Sequence, residues 1–161
     1  MYRWHYSRAA EPAWLDPGLG LHLFRNAAEA WAACGVRLEF AGETDRPAGA
    51  GDGVNVAGWS VRLPPGMRGA TFKQRAGSAL IEADVAINAA NREFRASPEL
   101  LRKVILHELG HALGLTHSAD CADVMSFGAA CRVPARLLPQ RPAAGDLAQC
   151  AERYRPVRTA K

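Results

Sequence analysis

The chain has 161 residues, enough for one core and short for two. Nearly half are apolar, so a packed interior is available, yet no apolar run reaches membrane-spanning length. With 20 basic and 16 acidic residues the net charge is +4, and the arginines between Arg132 and Arg158 lack aromatic interleaving. They read as solvated surface, and a nucleic-acid partner is not expected.

The opening MYRWHYSRAAEP has no continuous apolar stretch and does not read as a secretion signal. Either the protein stays inside the cell or this is a processed form. Tyr2 to Ser7 carries alternating aromatics and reads as a first strand. After the Asp16-Pro17-Gly18 turn, Leu23, Ala27, Ala30 and Trp31 recur at helical spacing. A helix is therefore expected over Leu19 to Cys34, with Gly35 as its C-cap. Val36 to Phe40 reads as a second strand. Ala41 to Gly53, rich in Gly, Asp and Pro, reads as loop.

Val54 to Val61 is expected as a short strand, and Ala70 to Gln74 as another strand or an irregular edge. Leu80 to Asn88, LIEADVAIN, alternates most clearly. Ser97-Pro98-Glu99 is a helix start: a capping hydroxyl, a proline at the first helical position, and an acid at the positive end of the dipole. That helix is expected to run to about Leu113 and stop at Gly114. Ser118 to Arg141 reads as irregular loop and Ala143 to Tyr154 as a final helix. No repeat is visible, and a single domain over residues 1–161 is expected.

The chemistry concentrates in HELGHALGLTH, His107 to His117. His107 and His111 lie four apart on the expected helix, so both imidazoles share one face and can hold one cation. Glu108 lies beside that face, where a carboxylate can take a proton from an activated water without being a ligand. A straight helix would carry His117 past the metal. Gly114 can adopt a positive φ and turn the chain back beneath the pair. Three neutral histidines then leave the open fourth position that a catalytic Zn²⁺ needs. A bare pair of helix histidines would read as solvated surface; the extended pattern fixes five residue types on a helix already expected. His5 and His22 are isolated and read as packing or surface residues.

The four cysteines, Cys34, Cys121, Cys131 and Cys150, form no C-x-x-C pair, which argues against a cysteine-rich second zinc site. They read as two disulfides in any of three pairings, or as buried thiols. Disulfides would place the protein outside the cell or in a periplasm.

The extended motif with Asp123-Val124-Met125-Ser126 shortly after it resembles the metzincin clan of zinc peptidases. Within the clan the chain is most similar to matrixins of the bacterial type. Ala27 to Phe40 resembles their helix-then-strand segment, Glu82 to Asn88 the strand before their active-site helix, and His117-Ser118 their usual ending. The resemblance implies an α+β fold: a mixed twisted sheet with an active-site helix, a backing helix and a C-terminal helix. It implies one catalytic zinc on His107, His111 and His117, with Met125 as a hydrophobic floor. It implies a zinc-dependent endopeptidase, with Glu108 as general base and an extended peptide or protein substrate paired to a strand edge. Ser78 to Ala86 is the expected edge region.

The specificity pocket would be walled by His107 and the loop from Phe127 to Pro134, with Phe127, Gly128, Arg132 and Pro134 as its candidate residues. No tyrosine follows Met125, although Phe127 stands nearby, and ligands for calcium or a second zinc are not matched. Cys121 and Cys131 flank the Met-turn; a disulfide there would close a short loop worth about 2.5–3 kcal/mol. Cys34–Cys150 would be the remaining bridge. A monomer is expected. The alternative is a catalytically silent zinc-binding interaction module on the same fold, against which the retained Glu108 argues. A basic interaction protein with incidental histidines is a further alternative.

Overall fold

A computed structural model describes residues 1–77, 79–127 and 131–154. Five strands form one mixed sheet in the order β2-β1-β3-β5-β4. They are β1 (Tyr2–Ser7), β2 (Leu38–Thr44), β3 (Val56–Ser60), β4 (Gly69–Ala76) and β5 (Ala79–Asn88). β1, β2, β3 and β5 are mutually parallel, and β4 runs antiparallel to β5 at the sheet edge. The helices are α1 (Leu19–Trp31), α2 (Glu93–Ala96), α3 (Pro98–Ala112) and α4 (Ala144–Arg153). The mixed sheet, backing helix α1, active-site helix α3 and C-terminal helix α4 are those the sequence led us to expect.

Alternation decides which side chains enter the core. On β1, Trp4 and Tyr6 point inward and pack on Phe24 of α1. On β5, Ala83, Val85 and Ile87 join the same core. Trp31 closes α1 onto α3, its indole Nε1 donating to Leu106 O at 2.9 Å. The alternate β5 residues, Glu82 and Asp84, are buried on the opposite face. There they accept hydrogen bonds from Gly53 N and from Gly49 N and Val56 N. The loop before β3 is thus pinned across the outer face of the sheet, and two carboxylates that look like surface residues are buried with backbone N–H donors.

Several boundaries moved. α1 ends at Trp31 and continues as a 3₁₀ turn over Ala32–Cys34, capped by Gly35 at φ +85°. β2 starts two residues later than expected and runs on to Thr44, into the segment read as loop, because it pairs with β1 across a bulge between Trp4 and Tyr6. The short α2 was not anticipated. The expected substrate edge also needs correcting. β4 covers β5 from Ala79 to Ile87, and β3 pairs with it over Val85–Asn88, so Ala79 to Ala86 does not form the outer edge on that side; Ser78 lies outside the described residues. Among the described residues the open edge on that side belongs to β4.

Two disulfides close the framework, Cys34–Cys150 and Cys121–Cys131. The first ties the end of the α1 segment to α4 across 116 residues, worth about 5 kcal/mol in the chain-entropy model. Among the described residues, no helix is long and apolar enough to cross a membrane.

Candidate active site

α3 begins where the sequence marks it. Ser97 Oγ accepts from Leu100 N at 3.2 Å, and Pro98 takes the first helical position. The helix ends in a Schellman turn: Gly114 has φ +88°, its N–H donates to His111 O, and Leu115 N–H donates to Gly110 O. This turn does two jobs. It reverses the chain so that His117 returns to the helix face, and it aims Leu115 O at His111 Nδ1, 2.9 Å away.

His107 is oriented in the same way, its Nδ1 lying 2.9 Å from Val124 O. A ring nitrogen facing a carbonyl carries the proton, so both rings present an unprotonated Nε2 to the cleft. His111 Nε2 and His117 Nε2 are 3.0 Å apart, and one ligand atom from each of the three histidines lies within 4.8 Å of the others. Tetrahedral zinc with bonds of about 2.0–2.1 Å sets its nitrogens roughly 3.3 Å apart. The donor set therefore fits Zn²⁺ in element and number, and the His111–His117 pair comes close to that spacing. Burial pushes His107 down to about 3, and burial also lowers His111 and His117, helped by Lys103 and Lys73 nearby. All three rings are neutral at neutral pH, which is the form that binds metal.

Glu108 is buried beside this cluster. The Thr71 hydroxyl on β4 lies 2.8 Å from both Glu108 Oε2 and Glu108 O, tying the carboxylate to the sheet edge. A Cβ at Gly69 would collide with Glu108 Cγ and Val104, so that position is small where β4 crosses the helix. Burial raises the Glu108 carboxyl above its ordinary value, while the Thr71 hydrogen bond, Lys103 and Lys73 pull it back. Opposed effects of this kind are found at proton-transfer groups.

Met125, in the turn after His117, is fully buried and its side chain packs where α3 carries Gly110; a Cβ there would strike Met125 Sδ and the Trp31 ring. The turn is held from α4. Asp146 accepts from Val124 N at 2.7 Å, Met125 N at 3.0 Å and Ala143 N at 2.8 Å. Ser118 N donates to Met125 O, and Ser118 Oγ to Asp123 Oδ2 at 2.6 Å.

A cleft of about 750 Å³ runs from these groups between Pro64–Thr71 and the segment after Met125. Phe127 lines it and stacks on His117 at 4.4 Å between ring centroids. Gly128 lies outside the described residues. Arg132 and Pro134 are exposed and do not line the cleft, whereas Cys131 and Val133 do, as alternation in an extended segment requires. Leu100, Lys103 and Val104 of α3 and Leu138 and Pro139 complete the lining. Sequence reasoning missed Thr71, Lys103 and Asp146. Lys103 was within reach, since it lies one helical turn before His107; the other two act through contacts 37 and 22 or fewer residues apart, with no local signal.

A single sheet backed by α3 thus brings three histidines, able together to hold a metal ion, beside a buried carboxylate. The chain belongs to the matrixin family, whose profile matches residues 23–134. No curated protein matches it in sequence. Several solved structures share its fold. One is described as the GM1-bound form of the ECX AB5 holotoxin, with TM-score 0.61 and 14% identity over 94% of this chain and 79% of that one. Another is archaemetzincin from Methanopyrus kandleri, with TM-score 0.57 and 15% identity over 94% of both chains. A third is a zinc-dependent peptidase from Methanocorpusculum labreanum strain Z, with TM-score 0.54 and 11% identity over 93% of this chain and all of the other.

Proposed function

We propose that the protein is a zinc-dependent endopeptidase in which His107, His111 and His117 hold one metal ion and Glu108 is the general base. The observation that carries this reading is the pair of Nδ1 hydrogen bonds, from His107 to Val124 O and from His111 to Leu115 O, which turn two lone pairs toward His117. Bound there, zinc would supply Lewis acidity toward water and the scissile carbonyl.

The chain's own residues do the rest. Glu108, held by Thr71, accepts a proton from the attacking water and hands it to the departing amine nitrogen. Met125 packs below the histidines and keeps them from sinking toward the core. The substrate lies extended along the open edge of β4, whose residues Gly69 to Thr71 line the cleft, and adds to the sheet as a further strand. Residues 1–161 act as one catalytic unit, a monomer outside the cell or in a periplasm, for which the two disulfides are the support.

The test is Glu108→Ala. Zinc content by elemental analysis should be unchanged, while peptide cleavage falls by about 10²–10⁴-fold or more. Cleavage surviving in a zinc-loaded Glu108→Ala protein, or in wild type after chelation, would overturn the mechanism. A silent zinc-binding module would show stoichiometric metal and no cleavage by wild type.

A further inference from the structure

The cleft wall formed by α3 carries one charged side chain that the proposed mechanism does not use. Lys103 sits one turn before His107, half-buried, and lines a recess of the cleft to which Leu100, Val104, Val133, Leu138 and Pro139 also contribute apolar surface. Its Nζ donates to Ser126 O at 2.9 Å. An ammonium has three donors, and among the described residues Lys103 has no carboxylate within ion-pairing distance. The acids whose charge reaches it are already engaged, Glu108 with Thr71 and Asp146 with the backbone N–H groups of Val124 and Met125.

An apolar recess is a costly place for an unmatched cation. Burial lowers Lys103 from the ordinary lysine value, which states the same cost in protonation terms. The charges that reach it are mixed: Arg68 lowers it further, whereas Glu108 and Asp146 favour the charged form. Lys103 and Lys73 both act on Glu108, and a cation held by the histidines would make the field more positive still. What the recess lacks is an anion with a short apolar stem.

We infer that Lys103 makes this recess a subsite for an acidic side chain, so that the enzyme cleaves peptides carrying Asp or Glu next to the scissile bond. The assignment rests on the peptidase reading above. The recess adjoins His107 and Glu108, so the residue filling it is one that flanks the bond being cut. Its carboxylate would take the ammonium's remaining donors, and its methylenes would lie on Leu100, Val104 and Val133. Lys103 here is a specificity-determining residue and takes no part in the proton transfers.

Cleavage-site profiling of a peptide library by the zinc-loaded full chain tests this. Asp and Glu should exceed Asn and Gln at one flanking position by roughly 10- to 100-fold in kcat/KM, the size of a charge-assisted hydrogen bond. Lys103→Met should abolish that preference and favour apolar residues there, and Lys103→Glu should turn it toward Lys and Arg. Lys73→Met should keep the acidic preference at that position. No acidic preference in wild type overturns the inference. So does a Lys103→Met protein that loses activity equally on every substrate, because Lys103 would then act through Glu108 or the fold. If wild type cleaves nothing, the peptidase reading fails, and calorimetry with matched Asp and Asn peptides decides the subsite: Lys103-dependent preference for Asp upholds it, and equal binding overturns it.

Discussion

The two sides of the cleft are held in place by different means. On the helix side, His107 and His111 are each fixed by a backbone carbonyl, Glu108 by Thr71, and the Met125 turn by Asp146. On the loop side, Phe127 is 65% exposed and Leu137 62% exposed, and the segment from Cys131 to Pro139 is extended chain with one 3₁₀ turn. Chemistry at a reacting bond tolerates little displacement, so its groups need partners that lock them. A wall that selects side chains needs only shape and charge.

That contrast can be broken in several ways. Asp146→Ala strands two buried N–H groups under the histidines and removes the α4 cap. It should cost about 3–4 kcal/mol, read as a fall in denaturation midpoint with reduced zinc affinity. An unchanged midpoint would mean that the helix side is not braced from α4. Acid comes next. The His107 imidazole titrates well below its unfolded value, so the unfolded chain takes up the proton first as pH falls. Stability is full above pH about 6.5 and declines from there toward 3, losing about 2 kcal/mol between pH 7 and 5 in the metal-free protein. Thermal melts of the apo protein across that range check the sign, and zinc release should follow toward the acid end of it, where protons compete for the same nitrogens.

A smaller effect is expected at the start of α3. Ser97→Ala removes the cap on Leu100 N and should cost about 1 kcal/mol, measured by chemical denaturation. The smallest stability change is expected on the loop side. Phe127→Ala should shift stability by less than about 0.5 kcal/mol yet alter the cleavage profile, since its ring stacks on His117 at the cleft. If Phe127→Ala unfolds the protein, the division between a locked side and a selecting side is wrong.

The same division explains what could be read from sequence. Ser97, Pro98, Gly114 and the histidine spacing act within one or two helical turns, so helix, stop and metal cluster were all visible. β2 was cut short because its last residues are ordered by pairing with β1, not by their own propensity. β5 was taken for an edge because alternation shows that a strand exists and not who lies beside it. Arg132 and Pro134 were assigned to the pocket by proximity in sequence, whereas in extended chain their neighbours Cys131 and Val133 face inward. Thr71 and Asp146 reach the site from other elements, and nothing near either residue signals that contact.

The placement of Asp146 has a consequence for how the molecule is made. Synthesis proceeds from the N-terminus, so the three histidines leave the ribosome before the residue that braces the turn beneath them. α4 must then find its place against Cys34, more than a hundred residues earlier, before the Cys34–Cys150 bond can form. The helix that carries the metal motif can form early from local signals alone. The competent site is among the last parts of the fold to be completed, so a nascent chain passes through a stage that has its histidines and no finished catalytic centre.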